Sequence, residues 1–244
     1  MSQRITGRKN PLLQQVRKLL SSKKYRQETG LFVSDGTKLL QEALRWWDGV
    51  ETVILSDGVE VQVPDSVRLV YVPEDVMESV SPMQTPQGAL FICRLPQKTA
   101  FVPKPGMLLL DGIQDPGNLG TILRTADALQ VPVALLEGCA DPYSHKVVRA
   151  SMGAVFRTPP VQTTWEQVRM SGVPVAVTAL SDKAVDIRSA KLTEMAIVIG
   201  SEGQGVRQEI LEHAQNQLII PMDERCESLN AAIAAAIVMW QMKQ

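Results

Sequence analysis

Cysteine and histidine are scarce in this chain. Cys93, Cys139 and Cys226 are its three cysteines, far apart, odd in number and without metal-ligand spacing. They are expected to be reduced thiols rather than a disulfide frame. With only His145 and His213 available, a histidine-based zinc site is not expected. No apolar run approaches the roughly 20 residues that cross a bilayer. The opening MSQRITGRKNPLLQQV has no apolar signal core, so the expectation is a cytoplasmic chain with neither membrane segment nor metal. Neither an internal repeat nor a low-complexity tract is present. No loop carries the G-x-x-x-x-G-K-[ST] phosphate cradle, and GSEGQG does not space its glycines as G-x-G-x-x-G. Those two absences exclude a P-loop enzyme and a dinucleotide fold. Acids are missing from one region: residues 1–26 hold Arg4, Arg8, Lys9, Arg17, Lys18, Lys23, Lys24 and Arg26, and the first acid is Glu28. With the net charge only −1, this local excess reads either as a solvated helix face or as a phosphate-contacting patch. Composition alone leaves both open.

What is present is enough for a substantial core. The chain has 244 residues, 45% of them hydrophobic and 21% charged, which suits one large domain or two modest ones. Asn10-Pro11 is a strong helix start, and LLQQVRKLL continues it amphipathically. GLFVSDG, TVILS, VRLVYV and GALFICRL read as strands, TKLLQEALRWW as a helix, and PEDVMESVS as a short helix begun by Pro73. Residues 1–98 are therefore expected to form a small α/β domain. The proline-rich PQKTAFVPKPG supplies a linker, placed at 99–106. From 107 to 244 the short runs MLLLD, VPVALLE, PVAVTAL, MAIVIG and QLIIP alternate with helical stretches. Continuous apolar runs of this length suit strands buried on both faces of a parallel sheet.

Ligands of such a sheet lie beyond the carboxyl ends of its strands, and three of these ends are polar and glycine-rich. The first is LLLDGIQDPGNLGTILRTADAL, residues 108–129, where a helix is expected from about Asn118. Leu119, Ile122, Leu123, Ala126 and Leu129 form its apolar stripe, and Arg124 projects from the opposite side. A cation one turn past a helix cap runs against the helix dipole, which suggests that Arg124 has a task. The second is IVIGSEGQGV, residues 197–206. The third, IIPMDERCESLNAAIAAAIVMW at 219–240, ends in a helix with no polar face from Ala231 to Trp240. That helix is expected to be buried on all sides, partly against a second subunit.

These three stretches, together with DPYSHKVVRASMGAVFR, resemble the motifs of the SpoU (TrmH-like) branch of the SPOUT RNA ribose 2′-O-methyltransferases. The likeness covers essentially all of residues 107–244. More weakly, KYRQETGLFVSDG and TKLLQEAL resemble that family's amino-terminal substrate-binding domain. The resemblance implies a carboxyl-terminal α/β domain whose parallel sheet is closed by a trefoil knot, a crossing that periodicity cannot reveal. It implies a small α/β domain of ribosomal-protein-like fold in front, S-adenosylmethionine as cofactor, and a homodimer. By the same resemblance Gly200, Ile220, Met222, Leu229 and Leu180 would hold the cofactor. Asn118, Arg124, Glu202, Ser228 and Asn230 would form the catalytic neighbourhood, and Arg8, Lys9, Lys23, Lys24 and Arg26 would contact RNA.

The implied reaction is in-line methyl transfer to a ribose 2′-hydroxyl, in which holding the oxygen against the methyl supplies much of the rate. The hydroxyl is a weak acid and needs help losing its proton. A protonated guanidinium has donors and no acceptor, so Arg124 suits gripping a phosphate and stabilising an alkoxide better than acting as base. The expected substrate is large-subunit rRNA. Transfer RNA and an inert RNA-binding paralogue are the alternatives. Three positions depart from the family pattern: Glu224 and Ala232 in the third motif, and Gln130 where a glycine often follows the first helix.

Overall fold

The computed structural model describes residues 3–97, 101–201 and 203–244. Its elements begin with β1 (Gln3–Arg4), α1 (Pro11–Ser21), α2 (Lys23–Thr29), β2 (Leu31–Asp35), α3 (Thr37–Trp46), β3 (Val50–Ser56), β4 (Arg68–Val72), α4 (Glu74–Val80) and β5 (Ala89–Arg94). They continue with β6 (Leu108–Asp111), α5 (Pro116–Leu129), β7 (Val133–Leu135), α6 (His145–Ala150), α7 (Ala154–Arg157), β8 (Val161–Gln162) and α8 (Trp165–Ser171). Last come β9 (Val175–Thr178), β10 (Val185–Asp186), β11 (Ala196–Gly200), α9 (Gln208–His213), β12 (Asn216–Ile219) and α10 (Ala231–Gln241). Two compact units result. One comprises the described residues up to 97 with Tyr143–Arg157, the other the residues from 101 to Pro142 and from Thr158 to Gln244.

The first unit holds a sheet of order β1-β4-β3-β5-β2, with β3 parallel to β4 and antiparallel to β5. Helix α1 starts where expected, because the Asn10 side chain accepts the Leu12 N–H at 2.9 Å and Pro11 takes the first position. Pro73 caps α4 from outside rather than forming its first turn. Strand alternation divides the core. Val33, Ile54, Leu90 and Ile92 pack with Leu13, Val16, Val76 and Met77 of α1 and α4. Phe32 and Phe91 point the other way and meet Phe156 of α7 at ring-centre distances of 6.2 Å each, with Tyr143 5.0 Å from Phe32.

The basic amino-terminal stretch is only partly a free surface. Arg4 pairs with Asp57 and Arg8 with Asp75. Arg26, expected as an RNA contact, is buried, and its Nη1 donates to the Leu19 carbonyl at 2.5 Å. It sits in α2, a helix the sequence reading did not anticipate. The turn from α1 needs a donor for that carbonyl, so this guanidinium faces inward and not toward solvent. Lys9, Lys23 and Lys24 remain exposed.

In the second unit all seven strands run parallel, in the order β10-β12-β9-β11-β6-β7-β8. The five apolar runs of the sequence are its five longest strands. Leu109, Val177 and Val198 pack on one face with Trp165, Val168 and Ile210 of α8 and α9. Helix α10 packs against α5 and β11. Its buried residues are Ala231, Ala232, Ala235, Val238 and Met239. Within one chain α10 is not buried on every side, since Ile233 and Trp240 are 52% and 60% exposed, which leaves open the part of its burial expected against a second subunit. Among the described residues no helix is long and apolar enough to cross a membrane.

Candidate functional site

Parallel strands place all their carboxyl ends on one side of the sheet, and the polar loops converge there. Strand β9 leads into residues 179–184, β11 into 201–207 and β12 into 220–230. Together they enclose a cavity of about 550 Å³ lined by Thr178, Leu180, Gly200, Ile220, Ser228 and Leu229, with Met222 also in its wall. That volume lies in the range of small-molecule sites. Leu180 is 63% exposed, an apolar side chain at the rim that a bound ligand would cover. Every position that the resemblance assigned to the cofactor thus lies in this wall.

Gly200 is required by the backbone around it. A Cβ there would lie 2.1 Å from the Gly205 carbonyl carbon and 2.3 Å from the Val206 nitrogen, closer than any real Cβ contact. The approach is that close because Ser201 and Gly205 exchange backbone hydrogen bonds of 3.2 and 2.9 Å, folding the loop into a tight ring. Gly205 itself has φ +67°, the left-handed region that glycine adopts without strain.

The first loop corrects the sequence reading. Helix α5 begins at Pro116, and its cap is Asp115, whose Oδ1 accepts the Asn118 N–H at 2.7 Å. Asn118 is the third helical residue, and Arg124 lies nine residues beyond the cap, roughly 13 Å along the axis. The dipole of a helix start fades within one turn, so it exerts no pull against Arg124. What marks Arg124 instead is its exposure on α5 with no hydrogen-bond or ion-pair partner among the described residues. Asn118 and Asn230, 112 residues apart, meet directly: the Asn230 Nδ2 donates to the Asn118 Oδ1 at 3.0 Å. Asn230 is also the cap of α10, accepting the Ala232 and Ile233 N–H groups at 3.0 and 3.3 Å. Since Ser228 and Leu229 immediately before it line the cavity, this pair ties the start of α5 to the cavity rim. Glu202 lies outside the described residues.

The departures from the family pattern are also placed. Gln130 closes α5 in the left-handed region, φ 52°, the conformation that favours glycine at a helix end. Its side chain donates to the Asp127 carbonyl at 2.6 Å, and the Gln130 carbonyl accepts from Lys243 Nζ at 3.2 Å. Glu224 is exposed on the loop between β12 and α10, and Ala232 is buried in the first turn of α10.

A cluster that the sequence reading missed stands beside the cavity. Asp111, 2% exposed, accepts from both the backbone N–H and Nε of Arg207, at 2.9 and 2.7 Å. Arg207 also bonds Glu137 through Nη2 at 2.8 Å. Burial opposes the Arg207 charge, yet the hydrogen bonds to Glu137 and Asp111 and the charges of those carboxylates outweigh it and raise the guanidinium above its ordinary value. Burial likewise opposes the Glu137 charge, but bonds from the backbone and from Arg207 hold that carboxyl below the usual range. Only the placement of Asp111 at the end of an apolar run hinted at this. Nearby, burial pushes the Cys139 thiol up to about 11, so it is protonated at neutral pH and offers no thiolate nucleophile. Among the described residues no group of three or more His, Cys, Asp or Glu could hold a metal ion.

Comparison with known proteins agrees with this geometry. The family model of the SpoU rRNA Methylase family matches residues 105–240, and that of the MRM3-like substrate binding domain matches residues 10–90. The 23S rRNA (guanosine(2553)-2′-O)-methyltransferase of Bacillus subtilis (strain 168) is 32% identical over 93% of this chain and 94% of its own. An AdoMet-bound rRNA methyltransferase from Sinorhizobium meliloti has a TM-score of 0.85 at 30% identity, covering 99% of this chain and 97% of that one. A TrmH-family chain from Porphyromonas gingivalis has a TM-score of 0.82 at 34% identity, over 94% and 96%. With a matching family model over its carboxyl-terminal half and relatives alike over nearly their whole length, the chain belongs to the SpoU rRNA methylase family.

Proposed function

We propose that this chain transfers a methyl group from S-adenosylmethionine to a ribose 2′-hydroxyl of large-subunit ribosomal RNA. Residues 107–244 are the catalytic domain, 1–98 the RNA-binding domain, and 99–106 the segment joining them. The observation that carries the reading is the convergence of the three motif loops: the 200–206 and 219–229 loops wall one cavity, and Asn230 carries its rim to Asn118. The cavity fits the cofactor. Apolar side chains (Leu180, Ile220, Met222, Leu229) suit its nucleoside, and the main chain of Gly200 forms part of the same wall. S-adenosylmethionine supplies the electrophilic methyl. The chain's own part is to orient the ribose through Asn118 and Asn230, and to grip the neighbouring phosphate and the developing alkoxide through Arg124. Ser228 at the rim belongs to that neighbourhood, and the family resemblance assigns Glu202 to it as well. The preference for ribosomal over transfer RNA follows from the substrate-binding domain and from the Bacillus relative's named reaction.

The reading extends to the family's trefoil threading of the segment after β12, to a cytoplasmic location, and to a homodimer. For the dimer the support is α10, whose Ile233 and Trp240 are apolar and exposed; a second copy of the helix would cover them. Ile233→Glu should convert dimer to monomer in sedimentation equilibrium, and a wild-type chain that sediments as a monomer would sink the idea. The RNA contacts are the exposed Lys9, Lys23 and Lys24, the last with an exposed pair to Glu28, and Arg8, whose exposed pair with Asp75 a phosphate could replace.

The test is incubation with methyl-labelled S-adenosylmethionine and ribosomal RNA from cells lacking this protein. Label should appear on one ribose, and the KM for RNA should climb steeply with salt. In the same assay Lys23→Ala with Lys24→Ala should raise the RNA KM further and leave the cofactor KM unmoved. Cofactor binding without transfer to any RNA would favour the inert RNA-binding reading. Transfer to tRNA alone would move the substrate.

A further inference from the structure

We propose that Asp111 and Arg207 are positioning residues that close the neck of the 201–206 loop and so set the shape of the cofactor cavity; the proposal rests on the cavity's assignment to S-adenosylmethionine. The loop enters from Gly200, which stands opposite Asp111 in the parallel register of β11 and β6. It leaves through Arg207, whose backbone N–H and Nε both end on the same Asp111 carboxylate. Entry and exit are thereby fixed to one residue of the neighbouring strand. Between them, Ser201, Gln204, Gly205 and Val206 line the cavity. The backbone bonds exchanged by Ser201 and Gly205 join the loop to itself, but they do not fix its tilt over the strand ends. Asp111 does, with two bonds to an element 96 residues away. The carboxylate is 2% exposed, so solvent cannot replace a lost partner, and a change there is felt by the loop rather than screened.

Arg207 also binds outward, to Glu137 and to Glu209. These contacts hold the guanidinium but touch no loop residue, which supplies an internal control. Glu137→Gln removes an ion pair of Arg207 while leaving the neck closed.

The experiment combines titration calorimetry of S-adenosylmethionine with steady-state kinetics on RNA. Asp111→Asn should weaken cofactor binding and raise the cofactor KM about tenfold or more, the size expected for a lost charge-assisted pair, while the RNA KM stays put. Arg207→Lys keeps the backbone N–H bond and a cation, and should retain most of the affinity. Glu137→Gln should lower the melting temperature without moving the cofactor KM. Arg207→Ala, altered only at a partly exposed side chain, serves if Asp111→Asn does not fold, and should show the same selective loss. A folded Asp111→Asn or Arg207→Ala chain with wild-type cofactor affinity would overturn the proposal, as would cofactor and RNA KM rising in step. A wild-type chain that binds no S-adenosylmethionine would instead overturn the functional reading beneath it.

Discussion

Arg124→Ala is expected to lower methyl transfer by about 10²–10³-fold, the loss typical when one preorganised donor to a developing oxyanion is removed. Cofactor affinity should be unchanged, because Arg124 is absent from the cavity wall. Arg124 stands six residues beyond Asn118 on α5, roughly 9 Å along the axis, on a solvent face where no described partner satisfies it. Among the described residues nothing therefore uses it, and its removal should leave the melting temperature nearly unmoved. Arg124→Lys retains a charge but not the planar fork that grips a phosphate at two oxygens, so it should recover only part of the rate. Single-turnover transfer with cofactor and RNA both saturating is the measurement that isolates this step. Normal turnover by the alanine variant would remove Arg124 from the mechanism.

Gly200→Ala should have an effect of comparable size through a different quantity. The added methyl would meet the main chain of Gly205 and Val206, not the yielding end of a side chain. Either the loop lifts away from the strand ends or β11 shifts in its pairings with β6 and β9. Overpacking of that kind costs about 1–3 kcal/mol, which corresponds to roughly 5- to 150-fold in cofactor affinity if the loop absorbs it. Calorimetric titration with S-adenosylmethionine reads the loss directly, and the melting temperature tells whether the strand has moved as well. An alanine variant that binds and turns over like wild type would show that the close approach is not needed.

Much of this fold is legible in the chain because local chemistry and tertiary packing agree. The five apolar runs of the carboxyl-terminal half become strands, four of them buried along nearly their whole length and β12 only at Leu218, and Asn10-Pro11 becomes a helix start. The reading falters where long-range partners decide. Helix α2 has no apolar stripe to announce it; it is held by the Ser22 side chain at its start and by Gly30, φ 67°, at its end. Arg26 counts as surface charge in any composition, yet it is enclosed around the Leu19 carbonyl. Asn118 carries a good cap side chain, but Asp115-Pro116 just before it combines the cap with a helix-ready proline, and the earlier pair wins. For the site, the loops and their polar residues are visible in sequence. The bonds that assemble them, Asn230 to Asn118 and Asp111 to Arg207, are not, because each joins residues about a hundred positions apart.

The packing of Tyr143–Arg157 has a consequence for the order in which the protein can be finished. The aromatic face made by Phe32 and Phe91 belongs to strands synthesised early, but its cover of Tyr143 and Phe156 is encoded beyond β7. During translation Trp47 and α3 cover only part of that face, and the rest waits until about sixty further residues have emerged after β5. The amino-terminal half thus borrows its last layer from chain made after the first motif, so a cut at the boundary between the two family matches would part the strands from their own lid.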